Sequence, residues 1–421
     1  MKEVLKISGN KLLSGEVNIS GSKNLCVSLI PAALLAKDIT IIHNIPPISD
    51  VYYLINIMEQ LNVKIKYSND TLIIDTRNAI YQDLLMPEME KLRASYYFYA
   101  ILLGKVRQFS AKAIGGCRLG ERPIDLHLYA FRQMGAEIEE KDNRYYFDSH
   151  HLHQAHIVFE KISVGATINA ILLALQIKGT IIIENRALEP EIDELIHFLK
   201  CMGADIACDK SKLIIKGGKE LHGCEFDNIP DRIEVGTYAL IGASLGNNLK
   251  IKPIIQEHIQ SLLDVLDVLN VNYRIDGNQL IVSKSKIQKG IIVLTSPYPG
   301  FPTDLQQPLT TFLSLSNSTS VIIESIYDNR FAHVVELNKM GANITTNNMN
   351  IIIHGVKKLK GCEVSGKDLR GAVSLVLAGL MAEGTTIVSG LEFLNRGYEN
   401  MVSKLKQINA DIDLIMTNKE E

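Results

Sequence analysis

The sequence predicts an α/β fold with mixed sheets, built from six related units. Three observations predict it: a five-residue phrase that recurs along the chain, β-branched runs that follow apolar helical stretches, and amphipathic helices that end at the phrase. The chain has 421 residues, of which 46% are hydrophobic and 22% charged. This composition is typical of globular domains and excludes wholesale disorder.

The recurring phrase has the approximate form Met/Leu-Gly/Asn-Ala/Val-x-Ile. Its glycine can adopt the left-handed backbone conformation that ends many helices, so the phrase predicts a helix stop. The interval of roughly 70 residues is that of a small folding unit rather than of a short solenoid repeat. The six copies lie at 61–65, 134–138, 202–206, 269–273, 340–344 and 408–412.

The elements of each copy follow one order. An apolar helix precedes a β-branched strand, an amphipathic helix then ends at the phrase, and two short strands close the copy. The predicted unit is therefore β-α-β-α-β-β, six times over. The segments that show the pattern most clearly are helices at 27–36, 192–200 and 374–380, and strands at 39–42, 179–183, 205–207 and 212–216.

Charged residues recur where the predicted helices begin. Helix N-termini carry positive partial charge and bind anions, so an Arg or Lys there is unfavourable unless an anion is present. Any single one of these residues is more simply an exposed cap, but their recurrence favours several helix starts that converge on a polyanionic ligand. They are Lys23, Arg93, Lys161, Arg232, Asp304 and Arg370 for the first helices, and Asp50, Arg122 with Asp125, Glu189 with Glu191, Glu257, Arg330 and Arg396 for the second.

Global properties exclude other classes of protein. The net charge is −3, so nothing attracts the chain as a whole to nucleic acid or to an anionic membrane. The apolar runs are too short to span a bilayer, and the N-terminus lacks a signal-peptide pattern. Six cysteines without paired spacing predict neither a metal site nor a disulfide scaffold. We therefore expect a cytoplasmic protein.

One glycine-rich segment contains a candidate reactive thiol. Cys117 lies in a segment whose glycines predict a mobile loop. The nearby cations Arg118 and Arg122 lower the pKa of a thiol. A thiol with a pKa near neutrality can donate a proton. A small residue in a flexible turn is the simpler interpretation of most single cysteines, but these neighbours favour function. The other five cysteines lie in apolar or strand contexts and are interpreted as packing residues.

A proline-rich segment presents a candidate general base. Three prolines between 297 and 302 predict an extended segment that carries Thr303 and Asp304 to a helix start. An N-cap aspartate is the simplest interpretation. The rigid proline-rich segment is longer than an N-cap requires, so a positioned general base is the second hypothesis.

The remaining chemical motifs are polar and basic. Ser20-Gly21-Ser22-Lys23-Asn24 combines a close-approach glycine with a point charge and a bifunctional amide, but it lacks the spacing of a phosphate-binding Walker loop. Arg93, Arg370 and Arg396 suit carboxylate and phosphate oxygens. The histidines at 150, 151 and 153 lie in a polar connector and predict a solvated loop, not a metal site.

Taken together, these motifs resemble the UDP-N-acetylglucosamine enolpyruvyl transferase family, over essentially the whole chain. The Gly-Gly-Cys-x-x-Gly-x-Arg-Pro-x-Asp-Leu-His segment at 115–127 is the most specific match. Further matches lie at 20–24, 92–95, 163–167, 189–191, 230–234, 301–304, 329–331, 368–370 and 395–399. The resemblance implies a two-lobed inside-out α/β barrel with three units per lobe. It places one lobe at 22–230 and the other at 1–21 plus 231–421.

The resemblance also implies an activity. The family transfers the enolpyruvyl group of phosphoenolpyruvate to the sugar 3′-hydroxyl of UDP-N-acetylglucosamine by addition–elimination, with release of phosphate and without a metal or other cofactor. Cys117 would protonate, or otherwise engage, phosphoenolpyruvate and would be the residue alkylated by fosfomycin, and Asp304 would accept the hydroxyl proton. The residues implied to hold phosphoenolpyruvate are Lys23, Arg93, Arg122, Arg370 and Arg396.

The sugar nucleotide is implied to contact a second set of residues. Asn24 would contact the amino sugar, and the other members are Arg122, Pro123, Ile124, Asp125, Leu126, Lys161, Ser163, Val164, Gly165, Asp304 and Ile326. Three positions depart from the family pattern: Ser22 replaces an alanine, Tyr298 replaces a histidine of some relatives, and Pro47 replaces a lysine of some relatives. The first two are expected to be tolerated, and the third removes a cation near the first connection between lobes.

Two alternatives to this function stay open on the sequence. The sister enzymes that use shikimate 3-phosphate share the repeats but lack the cysteine loop. A non-catalytic paralogue that binds a nucleotide sugar would have no need of Cys117, Asp304 and the arginines together. Phosphate release with each acceptor distinguishes the three possibilities.

Overall fold

The computed structural model of the chain describes residues 1–113 and 124–417. The described residues form two compact units. The central unit comprises residues 21–113 and 124–229, and the terminal unit comprises residues 1–20 and 230–417. Among the described residues, no helix is both long and apolar enough to cross a membrane.

The helices of the described residues are mostly two to four turns long. They are α1 Lys23–Ala32, α2 Ser49–Gln60, α3 Glu88–Lys91, α4 Tyr97–Lys105, α5 Asp125–Gln133, α6 Val164–Ala174, α7 Pro190–Cys201, α8 Arg232–Leu245, α9 Gln260–Val268, α10 Gln306–Leu313, α11 Ala332–Lys339, α12 Leu369–Met381, α13 Leu391–Leu394 and α14 Met401–Gln407. Short 3₁₀ helices occupy Ala33–Leu35, Arg93–Tyr96, Gln256–Ile259 and Thr303–Leu305.

The strands are short, as expected for small sheets. They are β1 Lys2–Ser8, β2 Glu16–Asn18, β3 Ile39–His43, β4 Lys64–Ser68, β5 Thr71–Asp75, β6 Gln108–Lys112, β7 Glu137–Lys141, β8 Arg144–Asp148, β9 His156–Val158, β10 Gly179–Glu184, β11 Asp205–Asp209, β12 Lys212–Gly217, β13 Glu225–Asp227, β14 Leu249–Lys252, β15 Asn272–Asp276, β16 Gln279–Ser283, β17 Ile292–Leu294, β18 Thr319–Ile323, β19 Asn343–Asn347, β20 Asn350–His354, β21 Glu363–Ser365, β22 Thr385–Ser389 and β23 Asp411–Thr417.

The sheets mix parallel and antiparallel pairs, which confirms the predicted α/β class with mixed sheets. The central unit contains β13-β3-β5-β4, β6-β8-β7 and β11-β12-β10-β9. The terminal unit contains β15-β16-β14-β2, β17-β18-β20-β19 and β21-β22-β1-β23. Parallel pairs such as β9–β10 and β17–β18 are joined through a helix, because parallel neighbours require a crossover.

The recurring phrase ends a helix at all six of its positions, as predicted. In the third copy, the N–H of Gly203 donates to the Lys200 carbonyl at 2.9 Å, and the N–H of Ala204 donates to the Leu199 carbonyl at 3.0 Å. This pair of bonds is the Schellman motif. The second residue of every copy has a positive φ, with Gly135, Gly203 and Gly341 between 90° and 97° and Asn62, Asn270 and Asn409 between 53° and 71°.

Two expectations about local structure were wrong. The second unit has a sheet of only three strands among the described residues, because its first strand is reduced to a parallel bridge between Leu84 and Ala111. There the Asp83 carboxylate accepts a hydrogen bond from the backbone N–H of Ser110 at 2.7 Å, in place of a strand. Cys201 and Cys208 are exposed instead of packed, because they lie on the outer face of α7 and on the edge strand β11.

Candidate functional site

Asp304 accepts hydrogen bonds from two arginines. Its Oδ1 accepts from Arg330 Nη2 at 2.8 Å, and its Oδ2 accepts from Arg370 Nη2 at 2.9 Å. The residue lies in the 3₁₀ helix that follows Pro302, and its side chain does not cap that helix. The N-cap interpretation of Asp304 is therefore wrong, and the starts of α10, α11 and α12 meet at this carboxylate.

The charges of this cluster determine its protonation. Both arginine side chains are 4% exposed and the Asp304 side chain is 25% exposed. Burial alone would raise the pKa of Asp304, but the charges of Arg370 and Arg330 outweigh it and hold that pKa well below its ordinary value. Burial likewise opposes the charged form of Arg370, and the Asp304 carboxylate nevertheless raises its pKa. All three groups are ionised at neutral pH.

Arg330 is fixed by Thr303 and also by Glu324 and Tyr327, which no sequence motif singled out. Its Nη1 donates to Thr303 Oγ1 at 2.8 Å, and that hydroxyl donates to Glu324 Oε2 at 2.7 Å. Its guanidinium lies 5.2 Å from the centre of the Tyr327 ring. Glu324 also accepts the backbone N–H of Ile326 at 2.9 Å. The half-buried Ile326, a predicted nucleotide contact, is thus held beside the arginine cluster.

Arg370 is fixed by a different pair of side chains, Tyr398 and Thr237. Its Nη1 donates to the Tyr398 hydroxyl at 3.1 Å, and that hydroxyl lies 2.7 Å from Thr237 Oγ1 on α8. Arg396 is half-buried and lies two residues before Tyr398 on the segment between α13 and α14. Its placement at a helix start was therefore wrong, because α13 ends before it and α14 begins only at Met401.

In the central unit, Lys23 is the first residue of α1. Its Nζ lies 3.0 Å from Oδ2 of Asp50, a fully buried carboxylate in the first turn of α2. Ser22 caps α1 by accepting the N–H of Leu25 at 3.3 Å, and Asn24 is half-buried beside Lys23. The cation at this helix start is therefore balanced by a carboxylate from a second helix start.

Three further helix starts of the central unit lie together. The Arg93 guanidinium lies 5.8 Å from the centre of the Tyr96 ring, and the Tyr96 and His127 ring centres are 4.4 Å apart. A Cβ on Gly165 would lie 2.6 Å from the Tyr96 hydroxyl and 2.7 Å from His127 Cε1. Asn169 on α6 lies 2.7 Å from His127 Nδ1. Burial, with a smaller effect of Arg93, lowers the pKa of His127 to about 3, so the ring is neutral.

The predicted nucleotide segments lie at the starts of α5 and α6. Asp125 is exposed at the first residue of α5, while Ile124 is buried and Leu126 is half-buried. Ser163 caps α6 by accepting the N–H of Ala166 at 3.3 Å, and Val164 and Gly165 form its first turn. Lys161 is exposed three residues before α6. Cys117, Arg122 and Pro123 lie outside the described residues.

Among the described residues, the segments that join the units at 20–21 and 229–230 are held by buried polar groups that no sequence motif predicted. In the terminal unit, Lys404 Nζ donates to Glu234 Oε1 at 2.8 Å and to Ser20 Oγ at 2.6 Å. In the central unit, Asn228 Nδ2 donates to the carbonyls of Ser22 at 3.2 Å and Asn44 at 3.0 Å. Lys404 lies on a polar helix, so its pattern alone indicated a solvent-facing cation.

Comparison with known proteins identifies the family. The family model described as EPSP synthase (3-phosphoshikimate 1-carboxyvinyltransferase) matches residues 7–405. A Streptococcus pyogenes protein named UDP-N-acetylglucosamine 1-carboxyvinyltransferase 2 is 44% identical over 99% of this chain and 100% of its own length. The chain belongs to the enolpyruvyl transferase family, in the UDP-N-acetylglucosamine 1-carboxyvinyltransferase branch. A Streptococcus pneumoniae relative named UDP-N-acetylglucosamine 1-carboxyvinyltransferase is 43% identical over 97% of this chain and 98% of its own length.

Solved structures of enolpyruvyl transferases share the fold. The enolpyruvyl transferase NikO from Streptomyces tendae matches with a TM-score of 0.90 and 23% identity, and covers 98% of this chain and 99% of its own. EPSP synthase from Acinetobacter baumannii matches with a TM-score of 0.74 and 16% identity, over 99% of this chain and 100% of its own.

Two of the three positions expected to depart from the family pattern have local partners in the structure. Ser22 supplies the N-cap of α1 with a side-chain oxygen that an alanine lacks. The Tyr298 hydroxyl donates to the Glu257 carbonyl at 3.1 Å, and the Arg232 guanidinium lies 5.9 Å from the centre of its ring. Pro47 is half-buried just before α2, and nothing in the structure explains its substitution.

Proposed function

We propose that this chain transfers the enolpyruvyl group of phosphoenolpyruvate to the 3′-hydroxyl of UDP-N-acetylglucosamine and releases phosphate. The observation that carries the proposal is 44% identity, over 99% of the chain, to a protein named for this reaction. The ionised Asp304 between two buried arginines supports it, because the reaction needs a base beside positive charge.

The reaction is an addition followed by an elimination. Asp304 accepts the proton of the sugar hydroxyl as its oxygen bonds to C2 of phosphoenolpyruvate, and Cys117 supplies a proton to C3. The adduct then returns a proton from C3 to the Cys117 thiolate as the bond from C2 to the phosphate oxygen breaks, and the departing phosphate takes the proton that Asp304 accepted. The enolpyruvyl ether and inorganic phosphate leave, so protons and electrons balance over the two stages.

The cations bind the anionic groups of phosphoenolpyruvate. Lys23, Arg93, Arg122, Arg370 and Arg396 hold its phosphate and carboxylate in this proposal. Lys23 and Arg370 already contact carboxylates, of Asp50 and Asp304. An anionic substrate competes with these contacts. Because Arg370 lowers the pKa of Asp304, the loss of that contact raises this pKa. Substrate binding thus makes Asp304 a stronger base.

The sugar nucleotide binds around the starts of α5 and α6. Their backbone N–H groups and the positive ends of the helices suit a diphosphate. The proposed contacts are Asn24, Arg122, Pro123, Ile124, Asp125, Leu126, Lys161, Ser163, Val164, Gly165, Asp304 and Ile326. The physiological role that follows is the first committed step of peptidoglycan synthesis in the cytoplasm, with fosfomycin as an alkylator of Cys117.

We further propose that the units are arranged as inside-out α/β barrels, three β-α-β-α-β-β units to a lobe. The lobes comprise 22–230 and 1–21 plus 231–421. The parallel strand–helix–strand order of the described sheets supports this arrangement.

Phosphate release from phosphoenolpyruvate tests the function. The purified chain is given UDP-N-acetylglucosamine, shikimate 3-phosphate or no acceptor. We expect release only with the nucleotide sugar. Release with shikimate 3-phosphate would assign the sister activity, and no release from folded protein with any acceptor would favour a non-catalytic binding role.

A further inference from the structure

His333 is a buried histidine to which the proposed reaction gives no role. It lies in the first turn of α11, is 2% exposed, and neither ring nitrogen has a hydrogen-bond partner among the described residues. Burial lowers the pKa of His333 to about 4, against the opposing charge of Asp368. At neutral pH the ring is therefore uncharged and has one N–H donor and one acceptor nitrogen.

The surroundings of His333 contain complementary unpartnered groups. Arg330 and Asp368 are close enough for their charges to act on the ring. The Nε of Arg330 and the Oε1 of Gln307 are also buried without a partner among the described residues. Gln307 is tied to the same group, since its Nε2 donates to Asp368 Oδ2 at 3.3 Å. Arg330 thus keeps one unpartnered donor and Gln307 one unpartnered acceptor among the described residues, and a neutral imidazole has one of each.

The loss of stability caused by these buried, unpartnered polar atoms indicates that they have a functional role. Buried polar atoms without partners destabilise a fold, and an apolar side chain of similar size would avoid the loss. Asp368 accepts the backbone N–H groups of Arg370 and Gly371, both at 3.0 Å, so it fixes the start of α12. His333 lies on α11, three residues after Arg330, and α11 packs against α12, which carries Arg370.

We propose that His333 is a positioning residue for enolpyruvyl transfer: its imidazole engages Arg330 and the Gln307–Asp368 pair in the substrate complex and so holds the Asp304 carboxylate in place. The inference rests on the proposed function. When an anionic substrate draws Arg370 away, Asp304 depends on Arg330 for its orientation. In the substrate complex the imidazole accepts a hydrogen bond from the Arg330 Nε–H. This bond keeps the guanidinium at Asp304 and prevents it from moving toward the substrate.

The experiment compares His333→Leu with His333→Gln. Leucine fills the site but has no polar atoms, so we expect an unchanged or higher Tm with kcat reduced about 10-fold or more, and a KM for UDP-N-acetylglucosamine changed by less than about twofold. Glutamine keeps a donor and an acceptor and is expected to recover most of kcat. Leu337→Met, a fully buried and volume-conserving change on the same helix, is the matched control and should keep kcat.

Each other result rejects the inference. A leucine variant with the parental kcat shows that the ring is dispensable, and equal losses of kcat and Tm in both variants show that it only packs. A glutamine variant no better than leucine excludes the hydrogen-bonding role. The unmodified protein is assayed first: absence of phosphate release there rejects the proposed function together with this inference, whereas normal release with an active leucine variant rejects this inference alone.

Discussion

Asp304 shows how far one residue depends on its neighbours. It was singled out in the sequence by its proline-rich approach, but its two partners lie 26 and 66 positions further along the chain. Nothing in the local pattern distinguishes a carboxylate that caps a helix from one that accepts two guanidinium groups. Such contacts follow from the packing of three helix starts, and only the structure provides them.

The environment of Asp304 predicts a pH effect. A base works while ionised, and its activity falls as the pH drops through its pKa. Arg370 and Arg330 keep the pKa of Asp304 low, so in Arg330→Gln that pKa rises and the acid limb of the kcat profile moves to higher pH. Because an adjacent opposite charge lowers a carboxyl pKa by roughly 1–3 units, we expect a shift of about one unit or more. Phosphate release measured across the acid range checks this.

A second buried arginine provides the control for that experiment. Arg186 is 5% exposed and lies 2.8 Å from Asp193 in the central unit, away from Asp304 in the sequence and in a different unit. Arg186→Gln removes a similar charge and should leave the acid limb where it is. An unmoved acid limb in Arg330→Gln would contradict Asp304 as the base.

Cys117 supplies the proton to C3 in the proposed addition and lies outside the described residues. We expect Cys117→Asp to keep phosphate release, since a carboxylic acid can also donate a proton, but to lose inactivation by fosfomycin, which needs a thiolate. The residual rate after incubation with fosfomycin is the measurement. A variant still inactivated at the parental rate would reject the assigned thiol.

The exposed cysteines of this chain provide a control for the fosfomycin experiment. Cys201 and Cys208 are exposed, while burial raises the pKa of Cys224 to about 12. Cys201→Ser and Cys208→Ser should leave fosfomycin inactivation unchanged. The sequence did not predict these exposures, because a cysteine among apolar residues has the same local pattern whether it faces the core or the outer side of its element.

At the scale of elements, helix ends were predictable and strand partners were not. A Gly or Asn in the left-handed conformation ends each helix at the recurring phrase, and this signal lies within a few residues. The pairing of β13 with β3, or of β2 with β14, joins strands roughly 200 positions apart. A local pattern specifies that a strand forms, whereas its neighbour is decided by which apolar faces pack together.

The start of α6 provides a prediction at this scale. Gly165→Ala places a methyl group in contact with Tyr96 and His127, so these rings must move away from the helix start. The proposed nucleotide site includes this turn, and we expect the KM for UDP-N-acetylglucosamine to rise about 10-fold with a smaller change in kcat. Steady-state kinetics with varied nucleotide sugar measures both.

Relief of the contact tests the explanation. Tyr96→Phe removes the hydroxyl that lies 2.6 Å from the added Cβ, so the double variant should recover part of the lost affinity. Tyr96→Phe alone measures what the hydroxyl contributes by itself. A Gly165→Ala enzyme with the parental KM would show that the start of α6 does not shape the nucleotide site.

At the scale of the molecule, the described residues form two hydrophobic cores, one in each unit. The core of the central unit draws on residues between Leu25 and Phe226, and the core of the terminal unit draws on residues between Leu5 and Ile19 and between Ile233 and Ile412. The described residues of the central unit come from the middle of the sequence, at 21–113 and 124–229, whereas the terminal unit needs both ends of the chain. Its strand β1 pairs with β22 and β23, at the opposite end of the sequence.

This organisation predicts that residues 21–229 fold as an isolated fragment. The fragment contains its whole core and every strand of its sheets, including β13 beside β3. It also keeps the bond from the Ser22 N–H to the Ile229 carbonyl at 2.7 Å. We expect one cooperative urea transition, seen alike by circular dichroism and by tyrosine fluorescence, because a single domain with its own core unfolds as a unit.

A shorter fragment makes the prediction specific to the last strand. Residues 21–223 lack β13 and Asn228, so the parallel edge of β3 is left unpaired and the Ser22 and Asn44 carbonyls lose a donor. The urea midpoint should therefore fall, and the exposed edge should promote association. Equal midpoints would mean that β13 contributes nothing to the central unit. A longer fragment that unfolds gradually, without a cooperative transition, would show that its core depends on the rest of the chain.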